Sequence, residues 1–255
     1  MKIEVFADEQ ATAQAAAKAI AAEARSAVAA RGRFVLAVSG GRTPWIMLRA
    51  LANEELPWQS IHVVQVDERV APLGDADRNL THLRESLLDH SAIPPEQIHP
   101  MRVDLPNLDA AAGEYASLLS EIGGSPPTLD LIHLGLGPDG HTASLVPGDP
   151  VLNVIDKDIA VTGVYQGRRR MTLTYPIINR ARRILWLATG SEKAGPLLRL
   201  REGDPSIPAG KVSQSQAVIF ADRAATDGPR VESEVLPERQ SSSSASTHSL
   251  LKEPK

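Results

Sequence analysis

Compact apolar runs and longer amphipathic stretches alternate along this chain. A short strand is predicted at residues 3–6, after which Asp8 stands where an N-cap would open an alanine-rich helix to about Ala30, with Gly32 as its stop. Four apolar runs follow at 34–38, 61–66, 129–136 and 184–188, each ending abruptly in glycine or charge. Continuous rather than alternating hydrophobicity marks them as parallel strands covered on both faces. Helical stretches lie between them at 44–52, 79–88 and 109–122, with another at 193–199 after the last run. The order predicts an α/β fold: a doubly wound, mostly parallel sheet flanked by helices, a Rossmann-like three-layer sandwich. The stretch from 151 to 182 is less regular, with a strand expected at 171–174 and a short helix at 176–182.

Length and a hydrophobic share of 42% permit one α/β domain, expected over residues 1–225. From Thr226 the chain turns to Gly, Pro, Glu and Ser, including Ser241 to Ser244, which predicts a disordered serine-rich tail over 226–255. A net charge of −4 provides no general field for nucleic acid, so any anion must be held by locally placed cations. Without cysteine there is neither a disulfide framework nor thiolate chemistry. The acidic N-terminus interrupts any signal-peptide core, and no apolar run approaches the roughly 18 residues of a membrane span. A cytoplasmic enzyme acting on a small molecule is the expectation, with no nucleic-acid or membrane partner; a monomer and a homodimer fit equally.

Chemistry-bearing residues gather where strands of an open α/β sheet end, the rim on which such sheets bind ligands. After 34–38 comes Ser39-Gly40-Gly41-Arg42-Thr43-Pro44, in which paired glycines let backbone approach an anion and hydroxyls can add donors. It lacks the Gly-Lys-Ser/Thr ending of a nucleotide loop, and a plain strand-to-helix turn is its bland alternative. After 61–66 comes Asp67-Glu68-Arg69, charges that pair with one another or a ligand unless the loop is simply solvated, with Asn79 further on as helix cap or hydroxyl ligand. The third rim segment is Gly135-Leu136-Gly137-Pro138-Asp139-Gly140-His141-Thr142-Ala143-Ser144. His141 is the candidate base there, Asp139 the candidate carboxylate that fixes its tautomer, and the 137–140 amides or a nearby cation the candidate oxyanion stabiliser. Arg168-Arg169-Arg170 and Lys193 supply cations suited to a phosphate dianion.

These motifs resemble the 6-phosphogluconolactonases, grouped with glucosamine-6-phosphate isomerases and deaminases. The resemblance spans residues 3 to 225 and rests on Ser39-Gly40-Gly41-x-Thr43-Pro44, Asp67-Glu68-Arg69 with Asn79, the 135–144 segment, Arg170-x-Thr172-Leu173-Thr174-x-Pro176 and Lys193-Ala194. It implies hydrolysis of a phosphorylated sugar lactone with His141 as base and without metal or cofactor. It also implies Arg69, Arg170, Lys193 and the 39–43 loop around phosphate or hydroxyls, with Arg42 standing where the family usually has serine. Two rivals carry different chemistry. An amino-sugar-phosphate deaminase would have glutamate where this chain has Val146 and tyrosine where it has Arg69. A sugar-phosphate sensor would bind without hydrolysing, and would normally carry a DNA-binding segment that this sequence does not display.

Overall fold

The computed structural model describes residues 1–227; the expected tail, 226–255, lies outside them apart from Thr226 and Asp227, which end a short helix. In chain order the strands are β1 (Lys2–Phe6), β2 (Phe34–Val38), β3 (Ile61–Gln65), β4 (Asp67–Arg69), β5 (Ile98–His99), β6 (Leu131–Gly135), β7 (Ile159–Val161), β8 (Arg170–Leu173), β9 (Arg183–Ala188) and β10 (Ala217–Asp222). The helices are α1 (Glu9–Arg31), α2 (Arg42–Ala52), α3 (Asn79–Ser86), α4 (Leu108–Gly123), α5 (Tyr175–Arg180), α6 (Ala194–Glu202) and α7 (Arg223–Asp227).

Seven strands form one sheet in the order β1-β10-β9-β6-β2-β3-β5, with every neighbouring pair parallel. The chain winds from β2 outward through β3 to β5, then returns to β6 and winds the other way through β9 and β10. The winding therefore switches direction between β2 and β6, whose carboxyl ends stand side by side. Alternate residues of each strand face opposite helical layers. Phe34 and Leu36 pack with Ile20, Leu48 and Leu51 beneath α1 and α2, while Val35 and Ala37 pack with Tyr115, Leu119 and Ile132 on the α4 side. α1 has the expected ends: the Asp8 carboxylate accepts from the Ala11 amide, and Gly32, in the left-handed region, donates to Val28.

The structure adds a second, antiparallel sheet of order β4-β8-β7. Asp67-Glu68-Arg69, expected as a loop beyond the 61–66 strand, is itself β4 in that sheet, in register with Thr172, Met171 and Arg170. Two helix starts also differ: α2 begins at Arg42 rather than Pro44, and Lys193 sits in the 3-10 turn before α6 rather than in the helix. In both places the chain turns into helix directly from a glycine that can take positive φ, Gly41 at 130° and Gly190 at 93°.

Glu68 explains how a fully charged tripeptide becomes a buried strand. Its side chain is inaccessible, and one carboxylate oxygen accepts from the amides of Arg69 and Asn79, both at 2.8 Å. The other accepts from the Leu80 amide and Gln65 Nε2, both at 2.9 Å, and pairs with buried Arg78 at 3.1 Å. The carboxylate thereby caps α3 from a distance, because Arg78 at the N-cap position provides no acceptor for the first turn. Glu68→Ala leaves Arg78 buried without its counter-charge and should lower the free energy of unfolding by about 3–5 kcal/mol, measured by denaturant titration.

Three histidines are held neutral by burial. His133 is pushed down to about 3 and His99 to about 4, the latter also by its neighbour His62; His62 is itself lowered, by burial and then by Arg33. A depressed histidine binds its proton in the unfolded chain before it does so in the fold, so stability is complete above the unfolded value near 6.5 and falls as pH drops toward the folded values. Thermal unfolding should therefore show a lower midpoint at pH 5 than at pH 7. A His62→Gln/His99→Gln double variant should retain a larger fraction of its neutral-pH stability at pH 5 than the native chain.

Candidate active site

The switch between β2 and β6 opens into a cleft of 590 Å³. Every binding residue expected from the sequence lines it: Ser39, Gly40, Gly41, Arg42 and Thr43 from the β2 end, Asp67, Arg69 and Asn79 from β4 and α3, Gly137 and His141 from the β6 end, and Arg170 and Lys193. Asp139 stands just behind the His141 ring.

At the β2 end the chain passes from strand to helix without a side-chain cap, so the amides entering α2 have no protein acceptor among the described residues. Those N–H groups, at the positive end of the helix, are the ones the sequence motif suggests as an anion cradle. The hydroxyls are differently engaged than the motif suggests. Ser39 donates its hydroxyl to His133 O at 3.0 Å and its amide to His133 Nδ1 at 3.3 Å, which ties the loop to β6. Thr43 donates to the Glu9 carboxylate at 2.6 Å and receives the Thr189 hydroxyl at the same distance. Arg42 lines the mouth of the cleft with its side chain 81% exposed and its Nε on Glu9 at 3.0 Å.

At the β6 end two backbone bonds, Gly137 N–H to His141 O and Gly140 N–H to Gly137 O, fold the segment into a tight turn. This returns the His141 ring onto Gly137, where a Cβ would collide with the imidazole, so glycine is the residue that admits the ring. The same bonds spend the amides of Gly137 and Gly140, and Pro138 has no N–H, so the Asp139 amide and a nearby cation are what remain of the expected oxyanion donors. Asp139 Oδ1 accepts from the His141 amide at 3.1 Å and lies 2.5 Å from His141 Nδ1. With Nδ1 held as the donor, the imidazole keeps its lone pair at Nε2. Partial burial works to raise the Asp139 pKa, but bonds from the His141 amide and ring and the Tyr165 hydroxyl prevail and hold it below the usual carboxylate range.

The second sheet contributes the cations. Register sets Arg69 directly opposite Arg170, a like-charge pair that is unfavourable unless an anion lies between or beside the two guanidinium groups. Arg69 is steadied by the Asp77 carbonyl at 2.9 Å, and Arg170, buried, reaches Gln166 at 3.2 Å. Of the arginine run only Arg170 faces the cleft; Arg168 pairs with Asp75 and Asp77, and Arg169 turns to the Thr162 carbonyl. Buried Asp67 receives Ser144 Oγ at 2.6 Å, and burial raises its pKa against the pull of Ser144 and Arg170. Asn79 does not cap α3: its Nδ2 donates to Asp67 O at 3.0 Å and its amide packs on Gly40, bracing the cradle from behind. Lys193 lies 3.9 Å from Glu192 at the end of β9.

Sequence reasoning missed Glu9, Tyr165, Gln166, Thr189 and Glu192. Glu9 looks like a routine first-turn acid of α1 and Tyr165 lies in the irregular stretch, so neither carries a local signal. Among the described residues no group of three or more His, Asp or Glu side chains is arranged to hold a metal ion, and no helix is long and apolar enough to cross a membrane.

A 6-phosphogluconolactonase of Synechocystis sp. is 38% identical over 225 residues, covering 86% of this chain and 93% of its own. That of Mycobacterium tuberculosis is 36% identical, covering 88% and 96%. The crystal structure of 6-phosphogluconolactonase from Thermotoga maritima superposes with a TM-score of 0.77 at 27% identity, covering 87% of this chain and 98% of that one. Residues 7–220 match the family described as glucosamine-6-phosphate isomerases/6-phosphogluconolactonase, and the chain belongs to that family.

Proposed function

We propose that this enzyme hydrolyses 6-phosphoglucono-δ-lactone to 6-phosphogluconate, the lactone-opening step of the oxidative pentose phosphate pathway, with His141 as general base. The carrying observation is that His141, its Nδ1 committed to Asp139, lines the same cleft as the anion cradle of 40–43 and Lys193. A ring-strained ester needs a water, a base, a place for the oxyanion and a hold on the remote phosphate. His141 Nε2 takes the proton of the attacking water and later returns it to the ring oxygen as the lactone C–O bond breaks. Arg170, buried on the side of the dyad, neutralises the carbonyl oxygen as it becomes an oxyanion. The free amides of α2 and the Lys193 ammonium hold the phosphate, and Arg69 and Asp67 address the sugar between them.

The deaminase alternative lacks its parts. Val146, where that chemistry calls for glutamate, is buried in the core and does not reach the cleft. A sensor is distinguished by acid release: the native chain should consume base in a pH-stat above the spontaneous rate with the phosphorylated lactone and far less with unphosphorylated gluconolactone. His141→Ala should lower kcat by about 10²–10⁴-fold with KM nearly kept. Lys193→Ala should act chiefly on KM, raising it about ten- to a hundred-fold, the equivalent of one charge-assisted hydrogen bond. Undiminished turnover in folded His141→Ala would remove the base from the scheme.

A further inference from the structure

We infer that Tyr165 is a positioning residue for the reaction, acting through Asp139 to hold the His141 ring in its working orientation; this rests on the reading of His141 as base. The two oxygens of the Asp139 carboxylate have separate tasks. Oδ1 serves His141 alone, taking both its amide and its ring nitrogen, whereas Oδ2 has one side-chain partner among the described residues, the Tyr165 hydroxyl at 3.1 Å. The Asp139 side chain is 35% exposed and shares a glycine-bearing turn with the histidine it must orient, and that turn ties Oδ1 but not Oδ2. Tyr165 supplies the missing restraint from a different part of the chain.

Its mounting suits that task. Tyr165 sits at the tip of the hairpin joining β7 to β8, where its N–H donates to Arg168 O at 3.0 Å and Arg168 N–H returns at 3.3 Å. The intervening Gln166 and Gly167 both take positive φ, 50° and 79°, as the tight two-residue connection between right-twisted strands requires. From this tip the ring meets His141 edge-on, 5.6 Å between centroids at 68°, and offers its face to the Arg170 guanidinium 5.0 Å away. One side chain thus touches the carboxylate, the base and the cation proposed for the oxyanion. Burial and the Asp139 charge both raise the phenol pKa, which keeps the hydroxyl a donor throughout the working range.

Tyr165→Phe isolates the hydrogen bond, since the ring keeps its contacts with His141 and Arg170. Assayed on the phosphorylated lactone beside the native chain and His141→Ala, it should lose roughly ten-fold in kcat, the rate equivalent of one hydrogen bond to a charged group, with KM within about two-fold. The acid limb of its kcat/KM profile should move to higher pH, because a carboxylate relieved of the phenol stabilises the imidazolium more strongly; a merely structural tyrosine would leave that limb in place. Tyr165→Leu should lower kcat further, as Arg170 loses the ring beneath its guanidinium. Native kcat and an unmoved acid limb in Tyr165→Phe, with His141→Ala inactive, would overturn the role of Tyr165 and leave the base assignment standing. A native chain that releases no acid, or an active His141→Ala, would overturn the functional reading and this inference with it.

Discussion

A single inaccessible carboxylate joins the parts that must meet in the cleft. Glu68 receives protons from its own strand, from the strand before it and from the first turn of α3, and it neutralises the buried Arg78. Its neighbours on either side, Asp67 and Arg69, point into the cleft, and the helix it caps begins with Asn79, which grips Asp67 and packs on the β2 loop. A buried charge tolerates little movement because each lost donor exposes an unpaired oxygen to a low-dielectric interior. Position, rather than net stabilisation, is what such a network contributes: β4, α3 and the cradle are set relative to one another by the need to keep one carboxylate satisfied.

The parallel sheet supplies the complementary constraint. Because the winding reverses between β2 and β6, the chain leaving β2 enters α2 while the chain leaving β6 enters the His141 turn, and a gap is left above these adjacent strand ends. The cradle hangs on one of those ends and the histidine turn on the other, and Ser39 bolts the two together by giving both its donors to His133. The second sheet then lies across the gap and brings two arginines in cross-strand register. A chain of net charge −4 can in this way present a cationic pocket without a basic surface, since the cations are gathered by topology rather than by composition.

This division decides what could be read from the sequence. Long apolar runs such as 34–38 and 184–188 declare themselves because both sheet faces are covered; β10, at 217–222, is an apolar run that sequence reasoning missed. Strands β5 and β7, two and three residues long, are too short to show a period, and β4 has no apolar residue at all. The cleft residues were legible because glycine, histidine and charge at a strand end are unusual in a packing role. Their supports were not: Glu68 is hidden by its own charge, Glu9 resembles any first-turn acid, and Tyr165 meets Asp139 across 26 residues of chain. Local spacing carries information about local geometry, and these contacts are products of the tertiary fold.

The same reasoning bears on Arg42, the one position where the motif departs from its relatives as read from the sequence. A lone guanidinium at the mouth of the cleft strengthens its attraction for anions, yet Glu9 stands 3.0 Å from Arg42 Nε and accepts the Thr43 hydroxyl with the same oxygen. The pair is close to neutral, so Arg42 changes the local field little, and the Thr43 proton is already directed at a carboxylate. The donors at that end that Glu9 leaves open are the uncapped amides entering α2 and the Lys193 ammonium. The helix fixes the direction of the amides, whereas Lys193 is a point charge 3.9 Å from Glu192. Arg42 and Glu9 instead clasp the start of α2 to the start of α1, so the residue that replaces serine is engaged in a contact between helices.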